Sequence, residues 1–396
     1  MNITRLQSNY IPDIPADDIY RLHRQWGDAH PTTRTAPQAT GDLQRIGYIG
    51  GDFRRHSCMY FFEPVARHSR YQTTCFATAH RPDDTTARIM QTAEYVNVEG
   101  MSARKMAKEI RRRGIQILVD LSGHTQNNAL KTFTHRPAPV QCSYIGYPNT
   151  IGSDAIDYRI VDHITDQPGE EQYHTERLIR LPGCFLTFDA PRLDIPIRNE
   201  VHIDQTVFAS FANPLKIGAE TVRIWSEILR AVPNSHLFLK SSKYKCAEIV
   251  AGLRAEFAKH GIGDDGMTIL HAIPRRDHLE AYNAVDCQLD TFPYNGTATT
   301  CESLWMGVPV VTLKGERHRS RVSASLLTAA GCPELIADTI PDYIRIAIET
   351  AQCSRQRYRP YLRDRVLASR LCDGPRLVSE LDDAYSRVWR QAKNRR

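Results

Sequence analysis

ARKMAKEIRRRGIQILVDLSGHTQNN, residues 103–128, carries the pattern that sets the fold class. Its first part is a basic amphipathic helix, and Gly114 stands where a helix C-terminus needs a residue free to turn left-handed. IQILVDLSG follows, an almost continuously apolar run. A run of that kind reads as a strand buried on both faces of a parallel sheet. SGHTQNN then turns sharply polar, as the carboxyl end of such a strand does where a polar ligand binds.

The same alternation extends both ways. RIGYIGG (45–51), TTCFATA (73–79), VQCSYIGYP (140–148) and IDYRIVD (156–162) read as further strands. A second set begins at VFASFA (207–212) and continues through HLFLKS (236–241), MTILHA (267–272), VDCQLDTF (285–292) and VPVVTL (308–313). Helical segments separate them, including AETVRIWSEILRAV (219–232), with Val222, Trp225, Ile228 and Leu229 on one face. Strands alternating with helices imply a doubly wound α/β architecture, here in two copies. Between the copies TFDAPRLDIPIRNEV (187–201) loses the apolar rhythm and reads as a linker. The expected division is 1–43, an N-terminal helix (15–29, with Ile19, Leu22 and Trp26 on one face) and connector; 44–195, a first Rossmann-like domain; and 196–396, a second with a tail of three helices.

Composition bounds the function. The 396 residues carry 51 Lys+Arg against 45 Asp+Glu, a net charge of +6 spread thinly, which is weak support for nucleic acid as a partner. The basic end Lys393, Asn394, Arg395, Arg396 reads as a solvated terminus. No run reaches the roughly 18 apolar residues of a membrane span, and the N-terminus has no signal-like apolar segment. The ten cysteines form no CxxC, so zinc is not expected, and they read as free thiols of a reducing, cytoplasmic compartment. GxxxxGK[ST], GxSxG, HExxH and Asp-x-Asp are all absent. An enzyme built this way must handle diphosphates with its own cations and backbone dipoles.

Five segments carry groups suited to that task. GYIGGDFRRHS (47–57) ends a strand with glycines and then offers His56, the group in it that transfers protons near neutral pH. LVDLSGHTQNN and GYPNT are polar turns at strand ends, bringing Gly123, His124, Pro148 and Asn149 into consideration; two tight turns and nothing more is an equal reading. SFANPLKIGAE (210–220) places Asn213 and Lys216 just before a helix. A lysine there opposes the helix dipole unless an anion lies between them. DTFPYNGTATTCESLWMGVPVVT (290–312) gives Thr297, Thr299 and Thr300 at a helix start, an anion cradle of hydroxyls and N–H groups. Glu302 follows one turn in, suited to ribose hydroxyls or to a capping box with Thr299. AIPRRDHLEAY (272–282) opens a helix with Arg275 and His278, either flanking a nucleotide or forming a solvated basic turn.

These segments, in this order, resemble the catalytic region of the O-GlcNAc transferase and SPINDLY family. GDFRRHS, GHTQNN, RPAPVQ, GYPNT, DYRIVD, LRAVPNS and TTCESLWMGVPVVT carry the resemblance over about residues 45–350, and HRQWGDAH before them is similar to the family's pre-catalytic helix. The resemblance implies a GT-B-type glycosyltransferase, two Rossmann-like domains facing a cleft with C-terminal helices. It implies inverting, metal-independent transfer of a sugar from a nucleotide diphosphate, with no cofactor, to Ser or Thr hydroxyls of proteins. Lys216 matches the family's lysine on the leaving diphosphate and His56 its active-site histidine, acting as base or positioning group. The donor stays open between UDP-GlcNAc and GDP-fucose: TATTCES (297–303) is closer to the SPINDLY branch, and Glu302 replaces an Asp. The family's tetratricopeptide array has no counterpart in this sequence, so a separate repeat-protein adaptor could select acceptors. Two other readings stand beside this one: a catalytically silent sugar-nucleotide scaffold, and a GT-B-like epimerase.

Overall fold

The computed structural model describes residues 4–198 and 205–394, so part of the expected linker, and Arg395 and Arg396 of the basic end, lie outside the described residues. Two compact units emerge. The first comprises Met1–Asp189 together with Asp373–Arg396, and the second Ala190–Cys372.

The first unit is built on β1 (Arg45–Gly50), β2 (Gln72–Ala77), β3 (Glu94–Asn97), β4 (Ile117–Asp120), β5 (Val140–Ser143), β6 (Tyr158–Asp162) and β7 (Arg177–Leu181). They form one parallel sheet in the order β3-β2-β1-β4-β5-β6-β7. Every residue of β4 is buried, as its uninterrupted apolar run requires. Helix Ala103–Arg112 ends at Arg113, and Gly114 takes the left-handed conformation at φ +65°. Ile49, Phe76, Ile110, Leu118, Phe133 and Ile151 share the core, against which Trp26 packs. The N-terminal helix Ala16–Ala29 buries Ile19, His23 and Gly27. Leu22 and Trp26, expected on that face, are half-buried beside it.

The second unit holds β8 (Thr206–Ser210), β9 (Ser235–Lys240), β10 (Met267–Leu270), β11 (Cys287–Leu289), β12 (Val310–Leu313) and β13 (Ile336–Ala337), parallel and ordered β10-β9-β8-β11-β12-β13. Each sheet therefore reverses its winding once, between β1 and β4 in the first unit and between β8 and β11 in the second. Loops at the carboxyl ends of strands flanking such a reversal form the natural ligand crevice of doubly wound sheets.

The domain division differs from expectation in two ways. The boundary falls after Asp189 instead of Ile195, and the last helix belongs to the first unit. That helix, Gly374–Lys393, buries Leu377, Val378, Leu381, Tyr385, Val388 and Trp389. Asp382 accepts the Ser69 hydroxyl at 2.9 Å and the Arg70 N–H at 2.8 Å, and the Trp389 indole donates to the Gly41 carbonyl at 3.2 Å. An amphipathic face tells that a helix must be buried, and leaves open against which sheet.

Candidate functional site

In the second unit the loop after β8 and the loop after β11 meet. Asn213 opens the first: its side-chain oxygen accepts the Leu215 N–H at 3.1 Å and closes the single turn Pro214–Lys216. This turn sets Lys216, whose ammonium donates to the Asn295 carbonyl at 2.6 Å and lies 3.7 Å from the Tyr294 ring centroid. Among the described residues Lys216 forms no ion pair. Burial pushes its pKa down to about 8, and the charge of Asp290 resists that only in part.

Asp290, at the end of β11, shapes the second loop. One carboxylate oxygen accepts the N–H groups of Thr291 (2.9 Å) and Gly296 (2.6 Å), and the other accepts the Thr312 hydroxyl at 2.7 Å. Burial holds the Asp290 carboxyl above its ordinary pKa. A side chain at Gly296 would lie 2.7 Å from the Thr300 hydroxyl and 2.9 Å from that of Thr299, so only glycine lets these groups converge. Helix Ala298–Trp305 begins directly after Thr297 with no side-chain cap, so its first N–H groups have no intrahelical acceptor. The capping box between Thr299 and Glu302 does not form. Thr300 is buried and pairs with the Ser323 hydroxyl at 3.0 Å.

Glu302 is engaged elsewhere. Its two oxygens meet the Arg275 guanidinium at 2.6 Å and His278 Nε2 at 2.9 Å. Burial would raise its pKa, but the hydrogen bond from His278 and the charge and hydrogen bond of Arg275 outweigh it and hold it at about 2. On the far side of His278, Nδ1 accepts from the Lys240 ammonium at 2.7 Å. Lys240 ends β9 and is buried; burial lowers its pKa, opposed by Glu302. Lys240, His278, Glu302 and Arg275 thus form one chain with two fixed cations and one anion, a net positive end to the sheet.

In the first unit the loop after β1 packs on the loop after β4: Gly51 N–H donates to Ser122 Oγ at 3.4 Å. His56 lies in the former. Its Nδ1 accepts the Cys58 N–H at 3.3 Å, which leaves the proton of the neutral ring on Nε2. Asp52 stands 3.6 Å from Nδ1 and Arg54 3.5 Å from Asp52. Desolvation lowers the His56 pKa, Asp52 opposing and Arg54 reinforcing the shift, which favours the neutral ring. The ring keeps 37% of its surface exposed. Burial pushes the Cys58 thiol up to about 12. Asp52, His56 and Cys58 bring one ligand-type atom each within 4.8 Å of one another, a grouping of metal-ligating types where none was expected.

The other loop residues of this unit have structural partners. Gly123 adopts φ +52°, and a Cβ there would lie 2.2 Å from that of Tyr147. His124 Nε2 donates to the Ile151 carbonyl at 2.8 Å, and its ring packs edge-on against His23, Trp26 and Tyr147. Burial drives its pKa to about 3. Pro148 is buried, and Asn149 donates to the Asn9 side chain at 3.2 Å while its carbonyl accepts from Arg159 at 2.6 Å. These turns clamp the N-terminal helices to the sheet.

The profile of glycosyl transferase family 41 matches residues 16–206 and 195–376. The chain belongs to glycosyl transferase family 41. Within this family it is 37% identical over 407 residues to the Arabidopsis thaliana protein named probable UDP-N-acetylglucosamine–peptide N-acetylglucosaminyltransferase SPINDLY, covering 98% of this chain and 44% of the relative. It is 31% identical over 363 residues to the Arabidopsis thaliana protein of the same activity name called SEC, with 87% and 37% covered. The chain thus spans less than half the length of these relatives. Among solved structures, a mutant of the Thermobaculum terrenum O-GlcNAc transferase superposes with a TM-score of 0.91 at 32% identity, covering 97% of this chain and 76% of that one. The fold is accordingly of the GT-B type.

The sequence reading passed over three residues of these clusters. Lys240 and Asp290 each close an apolar strand run (HLFLK, CQLD), and a charge at that position was the available signal. Cys58 lies two residues from His56, but with no CxxC or His-rich pattern around it nothing marked it out.

Proposed function

We propose that this family 41 chain is an inverting glycosyltransferase that moves a sugar from a nucleoside diphosphate to Ser or Thr hydroxyls of proteins. One observation carries the reading: Lys216, a cation with no ion-pair partner among the described residues, sits beside a helix N-terminus that no side chain caps. A cation partly removed from water without a directly paired counter-charge is costly, and an uncapped N-terminus attracts anions. A diphosphate satisfies both. As the acceptor oxygen bonds to the anomeric carbon and the bond to the phosphate oxygen breaks, negative charge grows on the leaving diphosphate. Lys216 and the N–H groups at Thr297–Thr300 would stabilise it, with protein groups in the role a metal takes elsewhere. Arg275 and His278, held by Glu302, would meet the rest of the nucleotide. His56, with its proton on Nε2, suits a hydrogen bond to a reacting oxygen.

The names of the relatives support UDP-N-acetylglucosamine as donor, and the SPINDLY-like TATTCES segment keeps GDP-fucose beside it. Thermal-shift titrations with UDP, GDP and the two sugar nucleotides separate them: a ligand at about 100 times its dissociation constant stabilises by about 2.7 kcal/mol. No shift with any of the four would contradict the proposal. Ten free thiols support a reducing, cytoplasmic setting. Acceptor choice by a separate repeat protein is part of the proposal, and efficient transfer to proteins by this chain alone would remove it.

A further inference from the structure

We propose that Asp52, His56 and Cys58 form an inhibitory site for a borderline divalent cation such as Zn²⁺. The three side chains come from seven consecutive residues of one loop, so gathering them closes only a short loop. Carboxylate, imidazole and thiolate are the ligand types zinc selects. Ligand atoms around tetrahedral zinc stand roughly 3.3–3.6 Å apart, given metal–ligand bonds of about 2.0–2.3 Å. His56 Nδ1 and Asp52 Oδ2 are already 3.6 Å apart, and all three ligand atoms lie within 4.8 Å. Drawing Cys58 Sγ in from within 4.8 Å of the other two to tetrahedral spacing completes a three-ligand site. Asp52 and His56 keep 25% and 37% of their side-chain surface, which leaves a fourth position for water.

Binding forms bonds from the metal to Nδ1, to a carboxylate oxygen and to sulfur. The thiol proton leaves to water, and the Arg54 guanidinium gives up Asp52. The metal takes the Nδ1 lone pair that now accepts the Cys58 N–H, so the ring loses the contact that orients it. Inhibition rests on the role proposed for His56; metal binding does not.

The test uses the full chain, thiols reduced, titrated with Co²⁺ and then Zn²⁺. The expected result is a thiolate-to-cobalt charge-transfer band in the wild type, abolished by Zn²⁺ and absent from Cys58→Ala. Zn²⁺ should also stop donor turnover reversibly, with chelator restoring it. Cys58→Ala keeps its backbone N–H and its basal turnover, and should need at least ~10-fold more Zn²⁺ for inhibition. A wild type without the band, or a band that persists in Cys58→Ala because the part-exposed Cys246, Cys353 or Cys372 supplies it, overturns the site. A band with no effect of Zn²⁺ on turnover overturns the inhibitory role and leaves the metal site standing. An inactive wild type that shows the band overturns the proposed transferase function and not the site.

Discussion

The Lys216 ammonium donates to the Asn295 carbonyl at 2.6 Å, and that bond ties the loop after β8 to the loop after β11. It fixes a cation at the reversal point of the second sheet, next to an uncapped helix start. Folding gains little from this arrangement, because burial works against the charge. The proposed diphosphate-binding role accounts for it.

Replacing Lys216 separates the two. Lys216→Met should fold with a melting temperature at or above that of wild type, since a disfavoured charge is gone. Donor turnover should fall by about two orders of magnitude or more, the scale for removing one preorganised stabilising group. Single-turnover assays beside a thermal melt give both numbers; a fully active variant would contradict the proposed role.

Proton linkage supplies an independent check. With its pKa near 8, free Lys216 is about half protonated at pH 8. A bound diphosphate favours the charged form and raises that pKa. Binding of UDP or GDP at pH 8 should therefore take up as much as about half a proton, and affinity should decline as pH rises above 8. Calorimetry in buffers of different ionisation enthalpy measures the uptake, which should vanish in Lys216→Met.

Glu302 predicts an acid-side stability effect. Its folded pKa is held near 2, below the ordinary carboxylate value of 4.5. Between those values the unfolded chain binds more protons, so stability rises with pH. The contribution is complete above about pH 4.5 and is lost as pH falls towards 2. Glu302→Gln leaves Lys240 and Arg275 uncompensated and should cost about 3–5 kcal/mol near neutral pH, as for breaking a buried ion pair. Urea denaturation of both proteins from pH 3 to 6 should show the gap widening and then levelling.

His56 and His124, both in the first unit, should respond oppositely. His56→Ala removes an exposed ring and should lower turnover while shifting the melt little. His124→Ala leaves the Ile151 carbonyl without its donor in a packed aromatic cluster and should cost about 1–3 kcal/mol. Equal loss of stability in both variants would show that His56 is structural as well.

Gly123→Ala should destabilise by at least about 1–3 kcal/mol, because φ +52° disfavours a side chain and Tyr147 occupies the space. A wild-type urea midpoint would show that Tyr147 can yield.

Ten of the thirteen strands among the described residues were legible as apolar runs. The three that were not, β3, β7 and β13, are all edge strands. EYVN and RLIRL are buried on part of their length only, and β13 has two residues, so neither hydrophobic run nor period marks them. The candidate site residues were visible by type and by their place at strand ends. Their roles were less so: Asn213 closes a turn, Gly123, His124 and Asn149 hold the N-terminal helices, and Glu302 binds Arg275 and His278.

What the sequence determined alone was the local chemistry of each strand end, because an apolar run that stops at Gly, Lys, Asp or His declares both a buried strand and a polar rim. Pairing was decided by tertiary structure. The reversal of strand order sets β8 beside β11 and so brings Lys216 to Asn295, 79 residues away. It sets His278 between Lys240 and Glu302, and it returns the last helix to the first unit. Hydrophobic periodicity specifies that a face must be covered, whereas which partner covers it depends on packing that only the assembled sheet supplies.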